Sequence, residues 1–137
     1  MRYFIDTNVF LRVLIREESL SFNSSLRLLE KVKKGSIKAL TSGLVLAEIG
    51  WTLGSFYKFE KVDIVRSIRS IVSLHGLAII DDVDWLYALE LFSTKKAKLI
   101  DCLIASTKEI REKKWLVVTY DKDFEKLGIR SATPAEI

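Results

Sequence analysis

One cysteine, one histidine and one proline are all that this 137-residue chain holds of three residue types that often declare a chemistry. A lone Cys102 allows no internal disulfide and, with no second thiol or neighbouring histidine, no zinc-binding set. The single His75 lies just before a strand-like run, so a Ser–His–Asp hydrolase or His-dependent nuclease would need it to reach a distant site. It reads instead as a surface or edge residue. The six glycines fall in neither a GxGxxG nor a phosphate-loop pattern, which removes the common nucleotide-binding signatures. No apolar run approaches the roughly 20 residues that cross a bilayer. Asp6 also interrupts the first apolar segment too early for a signal-peptide core. A reducing cytoplasm, with no membrane partner, is the expected setting.

What is present is globular in balance, with 49% hydrophobic and 29% charged residues. The length fits one domain spanning 1–137. The net charge of +4 is uneven. Residues 1–68 hold eleven Lys/Arg against seven Asp/Glu, while 69–137 hold eleven of each. A basic half beside acidic clusters suits a polyanionic substrate near a metal, and it equally suits a solubilising surface.

Strand-like runs at 2–5, 37–41, 76–80 and 115–119, with an edge candidate at 129–132, alternate with helical periodicity. Helices are expected over about 7–14, 21–34, 44–56, 61–73, 83–92 and 99–113, with a short turn near Phe124 and Leu127. Inward stripes are expected at Phe22, Leu26, Leu29 and Val32; at Val62, Val65, Ile68 and Ile71/Val72; and at Val83, Leu86, Tyr87 and Leu91. Alternating strands and helices predict an α/β fold, a parallel sheet of four to five strands with right-handed crossovers. In such sheets ligands bind beyond the carboxyl ends of the strands.

Four acidic residues interrupt apolar surroundings. Asp6 closes Tyr3-Phe4-Ile5, and Asp121 follows Trp115-Leu116-Val117-Val118-Thr119. Glu48 shares a helical face with Leu44, Val45, Trp51 and Thr52, expected to look inward. Asp101 opens Cys102-Leu103-Ile104-Ala105. Taken singly, Asp6 reads as a helix cap, Asp121 as turn chemistry, and Glu48 as half of a salt bridge. Taken together, four carboxylates repel by about 4 kcal/mol per pair at about 4 Å and an effective dielectric near 20. A divalent cation, Mg²⁺ or Mn²⁺, relieves that repulsion. The Asp81, Asp82 and Asp84 cluster is left outside the site, because acidic residues favour the first turn of a helix. Lys95, Lys96 and Lys98, with Arg12 and Arg16, serve as phosphate contacts or as solvated surface.

Phe4-Ile5-Asp6-Thr7-Asn8, Leu46-Ala47-Glu48, Ile100-Asp101-Cys102-Leu103-Ile104-Ala105 and Val118-Thr119-Tyr120-Asp121-Lys122-Asp123-Phe124 together resemble the PIN-domain ribonucleases, most of all VapC-type toxins of prokaryotic toxin–antitoxin pairs. The resemblance covers essentially the whole chain. It implies a parallel sheet with helices on both faces and one or two Mg²⁺ or Mn²⁺ ions held by Asp6, Glu48, Asp101 and Asp121. Asp123 competes with Asp121 for the fourth place, and Asp121 is favoured by its spacing from Thr119. Thr7, Asn8 and Thr119 are implied as supporting residues that orient ligands or water. Cys102 stands where alanine is usual.

The activity implied is metal-dependent cleavage of RNA, with a VapB-like antitoxin as partner. The alternatives are a structure-specific DNA nuclease and a PIN-like interaction module without catalysis. A receiver-type phosphoacceptor domain fits less well, since Asp6 stands alone after the first strand. Trp51, Phe56, Tyr57 and Phe59 supply aromatic area for a homodimer or a partner helix.

Overall fold

The computed structural model describes residues 1–16 and 19–137. The described strands are β1 (Arg2–Ile5), β2 (Lys38–Thr41), β3 (Leu77–Ile79), β4 (Trp115–Val118) and β5 (Ser131–Ala132). They form one parallel sheet in the order β3-β2-β1-β4-β5. Every residue of β4 is buried, as the inner strand of a doubly covered sheet requires.

Helices α1 (Thr7–Ile15) and α2 (Leu20–Lys33) link β1 to β2, and α3 (Gly43–Ser55) with α4 (Lys61–Val72) links β2 to β3. The return to β4 runs through α5 (Trp85–Thr94), α6 (Leu99–Ser106) and α7 (Lys108–Arg111). A short α8 (Asp123–Lys126) precedes β5. The chain steps outward from β1 to β3 and then crosses to β4, so its direction of travel reverses. Right-handed crossovers therefore put α1–α4 on one face and α5–α7 on the other. The reversal falls between β1 and β4, the switch point where a crevice opens at the strand ends.

Several expected details shift. The helix foreseen over 99–113 breaks at Thr107, whose ψ of 127° is extended. The buried Ser106 hydroxyl donates to Leu103 O and accepts from Asp84 N, competing with the helical ladder and pinning the break to the start of α5. On α5, Ala88 faces inward and Leu86 is 83% exposed. On α2 the innermost residues are Ser24, Ser25, Leu28 and Val32, with Phe22, Leu26 and Leu29 flanking them.

On α4 the inward stripe is Ile64, Ile68 and Ile71, while Val62, Val65 and Val72 face solvent. Glycines on α3 set that register. A Cβ at Gly50 would lie 3.2 Å from Ile68 Cδ1, and one at Gly54 would lie 3.3 Å from Ile64 Cδ1. The isoleucines thus pack directly onto a backbone that carries no side chains there. Of the acidic cluster before α5, Asp84 caps that helix as expected by accepting from Tyr87 N, whereas Asp81 accepts from Gly43 N at the start of α3.

Gly76 turns the chain into β3 with φ +87°, and a Cβ there would sit 2.4 Å from Val32 O. Gly76→Ala should therefore cost about 2–4 kcal/mol, from the left-handed backbone and the clash together. Urea unfolding of the two proteins measures it.

Candidate metal centre

β1 ends at the switch point, and the next residue, Asp6, is the N-cap of α1. Its backbone N–H donates to Val118 O at 3.0 Å, continuing the ladder one residue past β1. Its two carboxylate oxygens are held separately. Oδ1 accepts from Thr7 N at 2.8 Å and Oδ2 from the Thr119 hydroxyl at 2.7 Å. The Thr119 oxygen in turn accepts from Asn8 Nδ2 at 3.2 Å and from Asp121 N at 3.0 Å. Asn8 Oδ1 accepts from Tyr120 N. Asp6 thus caps α1 and is tied to the end of β4 at the same time. The Asp6-Thr7-Asn8 turn and the segment after β4 form one hydrogen-bonded unit.

Asp6, Glu48, Asp101 and Asp121 line a single cleft of about 230 Å³. Thr7 and Asn8 line it too, together with three residues not among the expected site set: Leu11, Thr52 and Lys98. Leu11 and Thr52 lie one helical turn beyond Thr7 and Glu48, a spacing that could have identified them. Lys98 is the N-cap residue of α6, and its ammonium sits 3.9 Å from Asp121 Oδ2.

The face of Glu48 differs from expectation. Trp51 beside it is 73% exposed, and Glu48 is half-buried at a rim rather than inward-facing. Apolar neighbours of Glu48 on α3 meet Leu99, Ile100 and Leu103 of α6 across an open groove instead.

Asp123 belongs to a different grouping. Carboxylate oxygens of Asp101, Asp121 and Asp123 lie within 4.8 Å of one another. Asp123 already pairs with Lys126 at 2.8 Å, and its N–H donates to Asp121 Oδ1. The Asp6–Glu48–Asp101 side forms no ion pair among the described residues. The Lys98 charge nevertheless acts on Asp101 and Glu48 ahead of Asp121, so both sides of the cleft share it.

Burial and mutual charge govern protonation here. Burial is the main force raising the Asp6 carboxyl from 3.8 to about 6; the Glu48 and Asp121 charges add to it, and the hydrogen bonds from Thr119 and Thr7 oppose it. Burial likewise leads in raising Asp101 to about 7, with the Asp6 charge next and Lys98 opposing. Burial lowers the Lys98 ammonium, but the fields of Asp101, Glu48, Asp121 and Asp6 outweigh it and hold the group charged. Asp101 is 3% exposed and its Oδ2 has no hydrogen-bond partner. The buried Thr7 hydroxyl also has none. An oxygen-rich, anionic donor set with an orphaned buried carboxylate oxygen fits a hard divalent cation such as Mg²⁺ or Mn²⁺.

The sequence matches the PIN domain family over residues 3–129. No curated protein matches it. Among solved structures it is similar to VapBC2 from Rickettsia felis bound to a DNA fragment from their promoter, at 25% identity and a TM-score of 0.68. That alignment covers 97% of this chain and 98% of the other. VapBC-1 from nontypeable Haemophilus influenzae aligns at 14% identity and a TM-score of 0.65, over 98% of each chain. VapC20 from Mycobacterium tuberculosis, a sarcin-ricin loop cleaving toxin, aligns at 17% identity and a TM-score of 0.65, over 93% and 95%.

Two stability measurements test the centre. Between about pH 4 and 7 the unfolded chain releases protons that folded Asp6 and Asp101 retain. Their contribution is complete below pH 4 and lost as pH rises, so the melting temperature of the metal-free protein should fall less steeply in Asp101→Asn than in the wild type. At 100 times its dissociation constant, Mn²⁺ should stabilise the wild type by about 2.7 kcal/mol. Glu48→Gln should gain much less; equal gains would remove Glu48 from the centre.

Proposed function

The chain belongs to the PIN domain family, and from that premise we propose that it is a divalent-metal-dependent endoribonuclease, the toxin of a VapBC-type toxin–antitoxin pair acting in the cytoplasm. The observation that carries this reading is the buried, unpartnered Asp101 Oδ2 in the same cleft as Asp6 and Glu48. Such a group is costly in a metabolically idle fold and useful as a cation ligand.

Asp6, Glu48, Asp101 and Asp121 would hold Mg²⁺ or Mn²⁺. Such an ion, when bound, polarises a phosphoryl oxygen and makes its water more acidic. In the hydrolysis, the oxygen of water joins phosphorus as the bond to the leaving ribose oxygen breaks, and one water proton ends on that oxygen. The chain's own residues set the geometry for this. Thr119 and Thr7 N–H fix both oxygens of Asp6, and Asn8 fixes Thr119. The backbone N–H of Asp123 holds Asp121 Oδ1, leaving Oδ2 towards Lys98. Arg12, in a groove that shares Asn8 and Leu11 with the cleft, adds positive charge beside it for a polyanion.

Asp6→Asn and Asp101→Asn should each keep the fold and lower cleavage of total cellular RNA by about 100-fold or more in Mg²⁺ or Mn²⁺. A variant cleaving at the wild-type rate would remove that residue from the catalytic set. Matched DNA should stay intact; DNA cleavage at the same rate would count against an RNA enzyme.

Partners belong to the same proposal. Trp51 and Phe56 are 73% and 72% exposed, and Phe56 meets Tyr57 edge to face at 4.8 Å between ring centroids. Phe59 packs against the core instead. The exposed aromatics suit a homodimer, and the groove beside Glu48 suits a VapB-like antitoxin whose terminal segment covers the acidic mouth. Light scattering should give twice 15.7 kDa; a strict monomer would sink the dimer. Deleting the last segment of the antitoxin should release RNA cleavage.

A further inference from the structure

Beside the acidic cleft lies a second groove of about 130 Å³ that contains none of the four carboxylates. Asn8, Leu11, Arg12 and Ile15 line it from α1, and Tyr57 lines it from the turn after α3. The four α1 residues follow the i, i+3, i+4, i+7 spacing of one helical face. Asn8 and Leu11 belong to both hollows. Arg12 lies about 6 Å along the helix beyond Asn8, so the groove opens next to the cleft.

Both ends of the groove are braced. The Arg12 guanidinium lies 5.6 Å from the centroid of the Tyr120 ring, within reach of its π face. That ring is fixed in turn, because its hydroxyl donates to Ser21 O at 2.8 Å and bonds Ser25 Oγ at 2.7 Å. Arg12 forms no ion pair among the described residues. Tyr57 is held through the backbone. The N–H groups of Phe56 and Tyr57 both donate to Thr52 O, at 2.9 and 3.2 Å, and Phe59 N donates to Leu53 O. Lys58 takes a left-handed φ of 58°, which costs energy in any residue that carries a side chain. Thr52 itself lines the acidic cleft, so this turn ties Tyr57 to the cleft wall. Tyr57 stays 37% exposed.

An aromatic ring, a planar cation and a side-chain amide surround a hollow with room for one planar heterocycle. Those groups hold unpaired bases of single-stranded RNA, by stacking and by hydrogen bonds to the base edge. Asn8 spends one amide hydrogen on Thr119 and keeps a second to donate. We propose that this groove is a nucleobase subsite, in which an unpaired RNA base beside the scissile phosphate stacks on Tyr57 and accepts hydrogen bonds from Arg12. This rests on the nuclease reading above and narrows its substrate to RNA that is single-stranded at the cut. A duplex keeps its bases paired and has none to offer.

The test is cleavage kinetics of the full chain on a short single-stranded RNA whose cut site is mapped with the wild type. A set of matched strands lacks the base at each position flanking that site. Loss of one such base should lower the wild-type kcat/KM about tenfold. Tyr57→Ala should lose about as much on the intact strand and nothing further on that abasic strand. Tyr57→Phe, which keeps the ring, should behave as the wild type. Arg12→Lys keeps the charge and loses the planar fork, so it should be slower on the intact strand only. Mn²⁺ should raise the melting temperature of Tyr57→Ala as much as that of the wild type, which reports an intact fold and metal centre. Equal losses by Tyr57→Ala on intact and abasic strands would overturn the proposal, as would wild-type kinetics in that variant. No RNA cleavage by the wild type is a different failure, and it would remove the nuclease reading together with the proposal.

Discussion

The pairing of β1 with β4 is the contact on which the rest of this cleft depends. Ile5 lies in register with Val118, so the next residues of both strands emerge side by side at the crevice. Parallel pairing alone would leave Asp6 and Asp121 as neighbours that repel. The Thr119 hydroxyl, bonded to Asp6 and to the backbone of Asp121, converts that adjacency into a fixed geometry. Glu48 and Asp101 are then brought in by helices from opposite faces of the sheet. The centre is a meeting of four chain segments, and no one of them could build it alone.

Such a cluster works against the stability of the fold that holds it. Burial and mutual charge favour the protonated forms of Asp6 and Asp101, so near neutral pH the metal-free protein keeps the cleft only because the sheet beneath it is well packed. Val117, Val118, Ile5 and Phe4 are almost wholly buried directly below the acidic ends of their strands. Lys98 and Lys126 relieve one flank. Lys98 also offsets part of the charge at Asp101 and Glu48, and a cation would relieve the rest.

Much of this was legible in the residues. Short apolar runs marked the strands to within a few positions, most plainly β4, whose residues are all buried and therefore have little choice of composition. Asp6, Glu48, Asp101 and Asp121 stood out as charges interrupting apolar stretches, and they do line one cleft. Periodicity was weaker at deciding which side of a helix faces in. Val62, Val65 and Leu86 lie on plausible apolar stripes yet face solvent, because α4 seats its isoleucines on Gly50 and Gly54 and α5 turns Ala88 to its neighbours. The break at Thr107 was hidden for a similar reason: it depends on Ser106 bonding to Asp84, a contact between residues 22 positions apart. Lys98 could be suspected as a phosphate contact, but its pairing with Asp121 needed α6 and the end of β4 in place together.

The separation in sequence between β1 and β4 has a further consequence for the order in which the molecule comes into being. During synthesis β1 precedes the other strands, and its partner β4 emerges more than a hundred residues later. Contacts of that span close late, since the chain entropy they cost is repaid only when both sides exist. Until residues 115–121 leave the ribosome, Asp6 has no Thr119 to hold it and Asp101 has no crevice to close on. The acidic cleft therefore cannot close before β4 has paired with β1.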